Sequence, residues 1–266
     1  MQMTSGPEPA GNIAAAGALI RTAKAQGAAL VMTPETTNMI APGRRHMMER
    51  ARPEADDPAA AAFRALAAEL GVWLLVGSLV LRDSEEKAVN RSLLIGPDGA
   101  VAARYDKIHM FDVEIPDGQS YRESKAYAAG DRAVTADLPW GRLGLTVCYD
   151  LRFPRLYRSL AKAGARFLAV PSAFTRFTGE AHWHVLLRAR AVETGCFVFA
   201  PAQCGEHAGG RQTYGHSLIV APWGEVLADG GEEPGVVLAE IDPARVDTAR
   251  AMIPALGHDR DFTGPA

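Results

Sequence analysis

Short apolar runs alternate along the chain with longer stretches that combine apolar and polar residues at helical spacing. Helices are predicted at residues 12–26, 57–70, 154–163 and 182–194, and a last helix is predicted to begin near Asp242-Pro243. Asp57 is a residue type that caps helix starts, and Gly27 and Gly71 follow the first two helices. Buried strands are predicted at residues 28–32, 72–80, 142–147, 166–170, 196–200 and 236–241.

Two turn signals divide further apolar runs into hairpins. Pro97-Asp98-Gly99 lies within residues 91–105, and Pro222-Trp223-Gly224 lies within residues 216–228. Residues 106–130 have little periodicity, and a loop of that length in a folded domain is usually functional or disordered. Hairpins together with crossover helices predict an α/β fold with mixed sheets, in one domain over residues 1–266 that contains two stacked sheets.

Composition and charge narrow the classes of partner. The 266 residues are 48% hydrophobic and carry a net charge of -3 without a strong basic cluster, which argues against nucleic acid and anionic membranes and leaves a small molecule as the expected partner. No apolar stretch is long enough to span a bilayer, and no secretory signal is visible. Three cysteines without a spaced framework predict free thiols and a cytoplasmic location.

Cys148 is the first candidate for chemistry. It ends an apolar strand in GLTVCYDLRFP, so its thiol is predicted to lie at a strand-to-helix turn where a backbone N–H can face a ligand. The alternative is a buried cysteine that acts as a small hydrophobic residue. The polar residues that follow it, Tyr149, Asp150 and Arg152, favour the catalytic interpretation.

Two acids and a lysine are the next candidates. Glu35 follows the strand AALVM in TPETTN, and in α/β sheets ligands gather outside the carboxyl ends of strands. Lys107, in ARYDKIHMFD, precedes apolar residues that would bury it, and a buried lysine needs a carboxylate or an oxyanion as its partner. Glu123 lies in the long loop. Taken singly, each of the three is better explained as a solvated surface charge.

The histidines and the other cysteines give no comparable signal. Five histidines are candidates by type alone, and none indicates a Cys–His dyad: His109, His182, His184, His207 and His216. Cys204 and His207 resemble half of a metal site, but no second pair of ligands follows at a fitting spacing. Cys196 is predicted to be a core residue. The sequence therefore predicts no metal site.

Taken together, several blocks resemble one family. TPETTN, YDKIHMFDVEIP, YRESKAYAAGD and GRLGLTVCYDLRFPRLYRSLAKAGA resemble the nitrilase superfamily of carbon–nitrogen hydrolases, in its Nit-type amidase branch. PSAFTRFTGEAHWHVLLRARAVET and TYGHSLIVAPWGEVLA extend the resemblance over nearly the whole chain. It implies a four-layer α-β-β-α sandwich with two mixed sheets, a homodimer formed through helices, and a Cys–Glu–Lys triad without a cofactor.

The resemblance also assigns roles. Cys148 is implied as the nucleophile, Glu35 as the general base and Lys107 as the group that stabilises the oxyanion. Glu123 is implied as a second, supporting glutamate, and the backbone N–H of Tyr149 as the other donor to the oxyanion. These roles agree with the chemistry, because a thiol that is mostly protonated near neutral pH needs a base during attack.

The substrate is less sharply defined. Arg152 follows the nucleophile where Nit-type amidases hold a substrate carboxylate, although an ion pair with Asp150 or another acid explains it equally well. Phe174 and Thr178 match positions that wall the family's pocket. SAFTRFTGEAHW and APAQCGEH most resemble the deaminated glutathione amidases, which release α-ketoglutarate and Cys-Gly. The ω-amidases, a nitrile hydrolase and a catalytically silent relative remain as alternatives.

The chain departs from the family pattern at its start. The family opens with a full apolar strand, of which only residues 1–3 match here. A shortened strand inside a sheet is expected to leave backbone groups unpaired and exposed.

Overall fold

The computed structural model describes residues 1–116 and 120–265. Within these residues the α-helices are α1 (Pro9–Ala25), α2 (Arg44–Arg50), α3 (Pro58–Leu70), α4 (Pro154–Lys162), α5 (Arg176–Thr194) and α6 (Ala244–Met252). The strands of the first half are β1 (Leu30–Met32), β2 (Trp73–Arg82), β3 (Ala88–Ile95), β4 (Val101–Asp106), β5 (Asp112–Glu114), β6 (Ser120–Arg122) and β7 (Tyr127–Ala128). Those of the second half are β8 (Val134–Leu138), β9 (Gly141–Leu145), β10 (Ala165–Ala169), β11 (Phe197–Ala200), β12 (Cys204–Glu206), β13 (Gln212–Tyr214), β14 (Leu218–Val220) and β15 (Val226–Asp229).

Two mixed sheets form the centre of the fold. The first has the order β1-β2-β3-β4, with β7 also paired to β3, and only its β1–β2 and β3–β7 pairs are parallel. The second has the order β15-β14-β11-β10-β9-β8, with β9, β10 and β11 parallel and the outer strands antiparallel. Both contain hairpins and crossovers, as the sequence pattern predicts.

Alternation along the strands explains the layers. Leu74 and Leu93 point to a core that includes Ile20 of α1 and Phe63 of α3. Their neighbours Leu75 and Leu94 belong to a second core, which contains these buried residues of the second sheet and of α4 and α5: Leu143, Leu145, Phe167, Leu168, Tyr157, Trp183 and Leu187. The arrangement is therefore helices, sheet, sheet, helices.

Local signals set several element boundaries as predicted. Asp57 accepts a hydrogen bond from the Ala60 N–H at 2.9 Å and caps α3, which ends at Gly71 with φ +57°. Helix α5 begins six residues earlier than predicted, because Thr175 caps it by accepting from the Thr178 N–H. The sequence pattern did not predict α2 or β8. No helix in the described part of the chain is long and apolar enough to cross a membrane.

Two expectations about the chain ends are wrong. Gln2 and Gly235 exchange backbone hydrogen bonds, and the Met3 carbonyl accepts from the Cys204 N–H, so these groups at the start of the chain are paired and buried. The strand predicted at residues 236–241 forms no ladder. Among the described residues, β1 at the edge of its sheet pairs only with β2, and its Leu30 and Val237 border one groove.

Candidate active site

Four predicted residues meet at the carboxyl ends of strands. Glu35 lies three residues after β1, Lys107 follows β4, Glu123 follows β6, and Cys148 lies three residues after β9. The Lys107 ammonium is 2.9 Å from Glu35 Oε1 and 2.9 Å from both carboxylate oxygens of Glu123. The first sheet thus supplies Glu35 and Lys107, and the second sheet supplies Cys148.

The Glu35 carboxylate is held from three sides. Its Oε1 accepts from Lys107 and from Asn90 Nδ2, the latter at 2.8 Å, and its Oε2 accepts from the Ala173 N–H at 2.7 Å. The Cys148 thiol adjoins this carboxylate, and both side chains line one pocket. Because each contact comes from a different part of the chain, the carboxylate has one position relative to the sulfur.

Cys148 sits on a constrained backbone. Its φ is +49°, in the left-handed region that costs a non-glycine residue roughly 1–2 kcal/mol, and its N–H donates to the Pro171 carbonyl at 2.9 Å. Burial, and then the nearby Glu35 carboxylate, raise the pKa of the Cys148 thiol above its ordinary value. At rest the sulfur is therefore a protonated thiol.

The acid and the lysine are shifted in the opposite sense, toward their charged forms. Burial acts to raise the pKa of Glu35, but the Lys107 ammonium and its hydrogen bond hold that pKa below its ordinary value. Burial acts to lower the pKa of Lys107, but the carboxylates of Glu123 and Glu35 raise it well above its ordinary value. Both groups are charged throughout the neutral pH range.

Asp150 fastens the turn that carries Cys148 to the loop that carries Lys107. Its fully buried carboxylate accepts from Tyr105 Oη at 2.6 Å, from the Val147 N–H at 2.9 Å and from the His109 N–H at 3.1 Å. His109 Nδ1 also lies 2.6 Å from Asp150 Oδ1. These contacts explain Asp150 without an ion pair to Arg152.

A pocket opens above the four residues. Three of the predicted substrate-binding residues, Tyr149, Phe174 and Thr178, line it, and Phe174 packs on Trp183 with ring centroids 5.0 Å apart. Arg152 is not among the described residues that line the pocket. Its guanidinium lies 5.3 Å from the Phe174 ring centroid, and its Nη2 lies 3.2 Å from His182 Nδ1.

Sequence reasoning missed several polar residues of the pocket: Asn90, Arg44, Arg122 and Arg211. Arg211 Nη2 donates to the Ala173 carbonyl at 2.6 Å, while its buried Nε has no hydrogen-bond partner among the described residues. Asn90 carries little signal, since Arg91 and Ser92 follow it as further polar residues in the strand AVNRSLLI. Arg211 follows two glycines in a turn, and nothing local marks it.

Cys204 and His207, which resemble half of a metal site in the sequence, both contact other protein atoms. Both ring nitrogens of His207 contact protein oxygens, at 2.9 Å from the Ser5 carbonyl and 2.7 Å from Thr213 Oγ1. The Cys204 thiol lies 3.5 Å from Thr4 Oγ1. Cys196 belongs to the apolar core, as predicted.

The four-layer fold is that of a nitrilase-like hydrolase, as comparison with known proteins shows. A family model described as carbon-nitrogen hydrolase matches residues 1–251. The chain is 44% identical over 263 residues to a deaminated glutathione amidase of Synechocystis sp. (strain PCC 6803 / GT-S), covering 97% of this chain and 96% of that protein. It is 41% identical over 264 residues to the deaminated glutathione amidase of Homo sapiens, covering 97% and 80% respectively.

The structural comparison agrees. The crystal structure of the C. elegans NitFhit protein superimposes with a TM-score of 0.91 at 40% identity, covering 97% of this chain and 63% of that chain. The chain belongs to the carbon–nitrogen hydrolase family. The predicted family and nitrilase-like fold are confirmed, as is the prediction of a hydrolase that acts on carbon–nitrogen bonds other than peptide bonds.

Proposed function

We propose that this protein is a cysteine-dependent amidase that hydrolyses deaminated glutathione to α-ketoglutarate and Cys-Gly. The observation that carries the proposal is that Cys148, Glu35 and Lys107 line one pocket, in which the Lys107 ammonium fixes the Glu35 carboxylate at 2.9 Å. The names of the Synechocystis and human relatives support the substrate.

The first step is attack of Cys148 on the substrate carbonyl. Because the thiol is protonated at rest, the Sγ–C bond forms as the thiol proton passes to Glu35, which its lowered pKa keeps ready as a base. Negative charge then develops on the carbonyl oxygen. Lys107 Nζ and the backbone N–H of Tyr149 are the donors that we assign to this oxyanion.

The second step is departure of the amine. Glu35 returns the proton to the leaving nitrogen, the C–N bond breaks, and a thioester to Cys148 remains. Water then attacks the thioester with Glu35 as the base, and the proton returns to the sulfur as the acid leaves. Glu123 keeps Lys107 in place through both steps, since it contacts the ammonium with both oxygens.

The charge of the pocket favours an anionic substrate. Arg44, Arg122 and Arg211 line it together with the catalytic cluster. Arg211 has a buried Nε without a partner among the described residues, and a guanidinium binds a carboxylate with two parallel hydrogen bonds. We assign the α-keto acid end of the substrate to Arg211, in place of the Arg152 implied by the resemblance.

The test of the reaction is release of α-ketoglutarate from deaminated glutathione by the wild type and by Cys148→Ala. We expect the substitution to abolish turnover. Cys204→Ala is the matched control, because Cys204 is equally buried but lies outside the pocket, and it should keep its activity. Turnover that survives in Cys148→Ala would refute the mechanism.

The test of the substrate class compares two arginines. Arg211→Leu should raise KM for deaminated glutathione at least tenfold and leave a neutral amide of similar length unaffected, while Arg152→Leu should change neither. A KM increase for Arg152→Leu and none for Arg211→Leu would assign the substrate carboxylate to Arg152. Faster turnover of α-ketoglutaramate than of deaminated glutathione would make the protein an ω-amidase, and turnover of aliphatic nitriles would extend its chemistry to C≡N bonds.

We further propose a homodimer that forms through α5. Phe177, Val185 and Val192 of this helix are exposed apolar residues, and an uncovered apolar face is typical of an interface. Sedimentation of the wild type should give twice the mass of one chain, and Val185→Glu should give one chain. Val226→Glu, on an exposed strand position, is the control. A wild type that sediments as a monomer at micromolar concentration would contradict the proposal.

A cytoplasmic location is also proposed. It is supported by the three cysteines, which are all free thiols buried in the fold.

A further inference from the structure

A second cluster of ligand-type side chains lies behind the wall of the pocket. His184 comes from α5, His216 from the residues before β14, and Asp229 is the last residue of β15. One ligand atom from each lies within 4.8 Å of the other two. His184 Nε2 is 3.0 Å from Asp229 Oδ2, and His216 Nδ1 is 2.9 Å from Asp229 Oδ1. Three elements distant in sequence therefore direct their side chains to one point.

The backbone of His216 is fixed in an unusual conformation. Its φ is +51°, which is disfavoured for a residue with a side chain. Its carbonyl accepts from the Trp183 indole at 2.7 Å, and its N–H donates to the Gly231 carbonyl. The imidazole stacks on Tyr214 with ring centroids 4.5 Å apart and planes at 26°. The ring is thus held with Nδ1 toward Asp229 before any ligand binds.

The carboxylate is held as well. Asp229 Oδ1 accepts from the Gly231 N–H at 2.9 Å, which fixes the side chain from the side opposite His184.

Two imidazoles and one carboxylate are a ligand set for first-row transition metals. Tetrahedral zinc with bonds of about 2.0–2.1 Å holds neighbouring ligand atoms about 3.4 Å apart. Asp229 Oδ2 lies 3.0 Å from His184 Nε2 and 3.1 Å from His216 Nδ1, so these two separations need to widen by only a few tenths of an ångström. Three protein ligands also leave a coordination position for water, as in many zinc and iron sites.

We propose that His184, His216 and Asp229 form a binding site for one divalent transition-metal ion of the zinc class, distinct from the catalytic cluster. The bound ion joins α5 to the hairpin of β14 and β15, so it stabilises the packing that supports Trp183 and Phe174. The competing arrangement is a chain in which both neutral imidazoles donate to Asp229. That chain needs a proton on each nitrogen that the metal would occupy.

The test is titration of zinc into metal-free Cys148→Ala protein by calorimetry, since removal of the catalytic thiol excludes zinc binding at that sulfur. We expect one ion per chain. His184→Ala, His216→Asn and Asp229→Asn should each weaken the affinity at least tenfold, where asparagine at position 216 tolerates the left-handed backbone. His182→Ala, on the same helix but outside the cluster, is the matched control and should bind as the parent does.

A second readout separates loss of binding from loss of folding. Zinc should raise the Tm of the parent protein and of His182→Ala, and leave that of Asp229→Asn unchanged. Cobalt(II) bound at the site should give the intense visible bands of a tetrahedral ion. Absence of saturable binding at millimolar zinc, or equal affinity in all the variants, would overturn the proposal and leave a hydrogen-bonded chain.

Discussion

The two clusters of charged side chains differ in their exposure to water. The Lys107, Glu35 and Glu123 side chains are 2%, 4% and 13% exposed, whereas those of His184, His216 and Asp229 are 36%, 21% and 33% exposed. In the first cluster the Lys107 ammonium pairs with both carboxylates away from water, so removal of one charge leaves the others buried and uncompensated. In the second cluster water competes for every contact, so the protein alone gains little from it.

This difference in exposure means that different interactions hold the side chains of the two clusters in place. The buried cluster is positioned by the fold, and it therefore keeps its geometry before any ligand binds. The half-exposed cluster has converging side chains, but its mutual interactions are weak because water competes for them. A bound ion would stabilise this arrangement by binding only to the folded protein. Substitutions in the two clusters should consequently have very different costs.

Lys107→Met should have the largest effect. It leaves the Glu35 and Glu123 carboxylates buried beside each other without their cation, which costs about 3–5 kcal/mol of the free energy of unfolding. Loss of the oxyanion donor should also lower kcat/KM about 100- to 1,000-fold. Urea denaturation and the α-ketoglutarate assay measure the two effects. Lys125→Met, an exposed lysine of the same loop as Glu123, is the control and should change neither.

Substitutions of the two glutamates should have the next largest effects on kcat, and the two effects should differ. Glu35→Gln should lower kcat about 100- to 10,000-fold, because it removes the group that takes the thiol proton. Glu123→Gln should cost less, because Glu123 contacts Lys107 and the Phe111 N–H but accepts no proton in the mechanism. Comparison of kcat for the two isosteric variants on one substrate decides the point. Equal losses would mean that Glu123 also transfers a proton.

The sequence alone identified the buried cluster much better than its surroundings. Glu35 and Cys148 follow apolar strands, which marks them as candidates, but Lys107 and Glu123 were joined to them only by the resemblance of their motifs to one family. Arg211 reaches the pocket only because the loop between β12 and β13 folds back beside Ala173. No periodicity in the sequence encodes that approach, so the arginine that lines the pocket was not found.

The strand pattern has a similar limit. Residues 72–80 were predicted as a strand from their composition, and β2 has partners on both sides. Residues 236–241 have an equally apolar pattern but form no ladder, because a strand requires a neighbour as well as a propensity. Pairing depends on the rest of the fold and cannot be read from the segment itself.

The pH dependence of stability gives a finer test of the buried cluster. The folded pKa of Cys148 is raised, so its contribution is complete below the ordinary thiol pKa of about 8.5 and is lost as pH rises above it, while the unfolded chain ionises. The wild type should therefore lose up to about 1.4 kcal/mol per pH unit more than Cys148→Ala between pH 9 and 10. Urea denaturation at pH 7, 9 and 10 measures this. The difference at pH 7 corrects for packing, and parallel pH profiles would contradict the raised pKa.

Asp229→Asn in the presence of a metal chelator should have the smallest effect. Its contacts with His184 and His216 are open to solvent, and exposed pairs of this kind contribute about 0–1 kcal/mol. Urea denaturation should therefore give a free energy of unfolding within about 1 kcal/mol of the wild type. When zinc replaces the chelator, the wild type should gain stability and the variant should not. A loss above about 3 kcal/mol in the chelator would place this cluster with the buried one, because such a cost marks a charge network on which the fold itself depends.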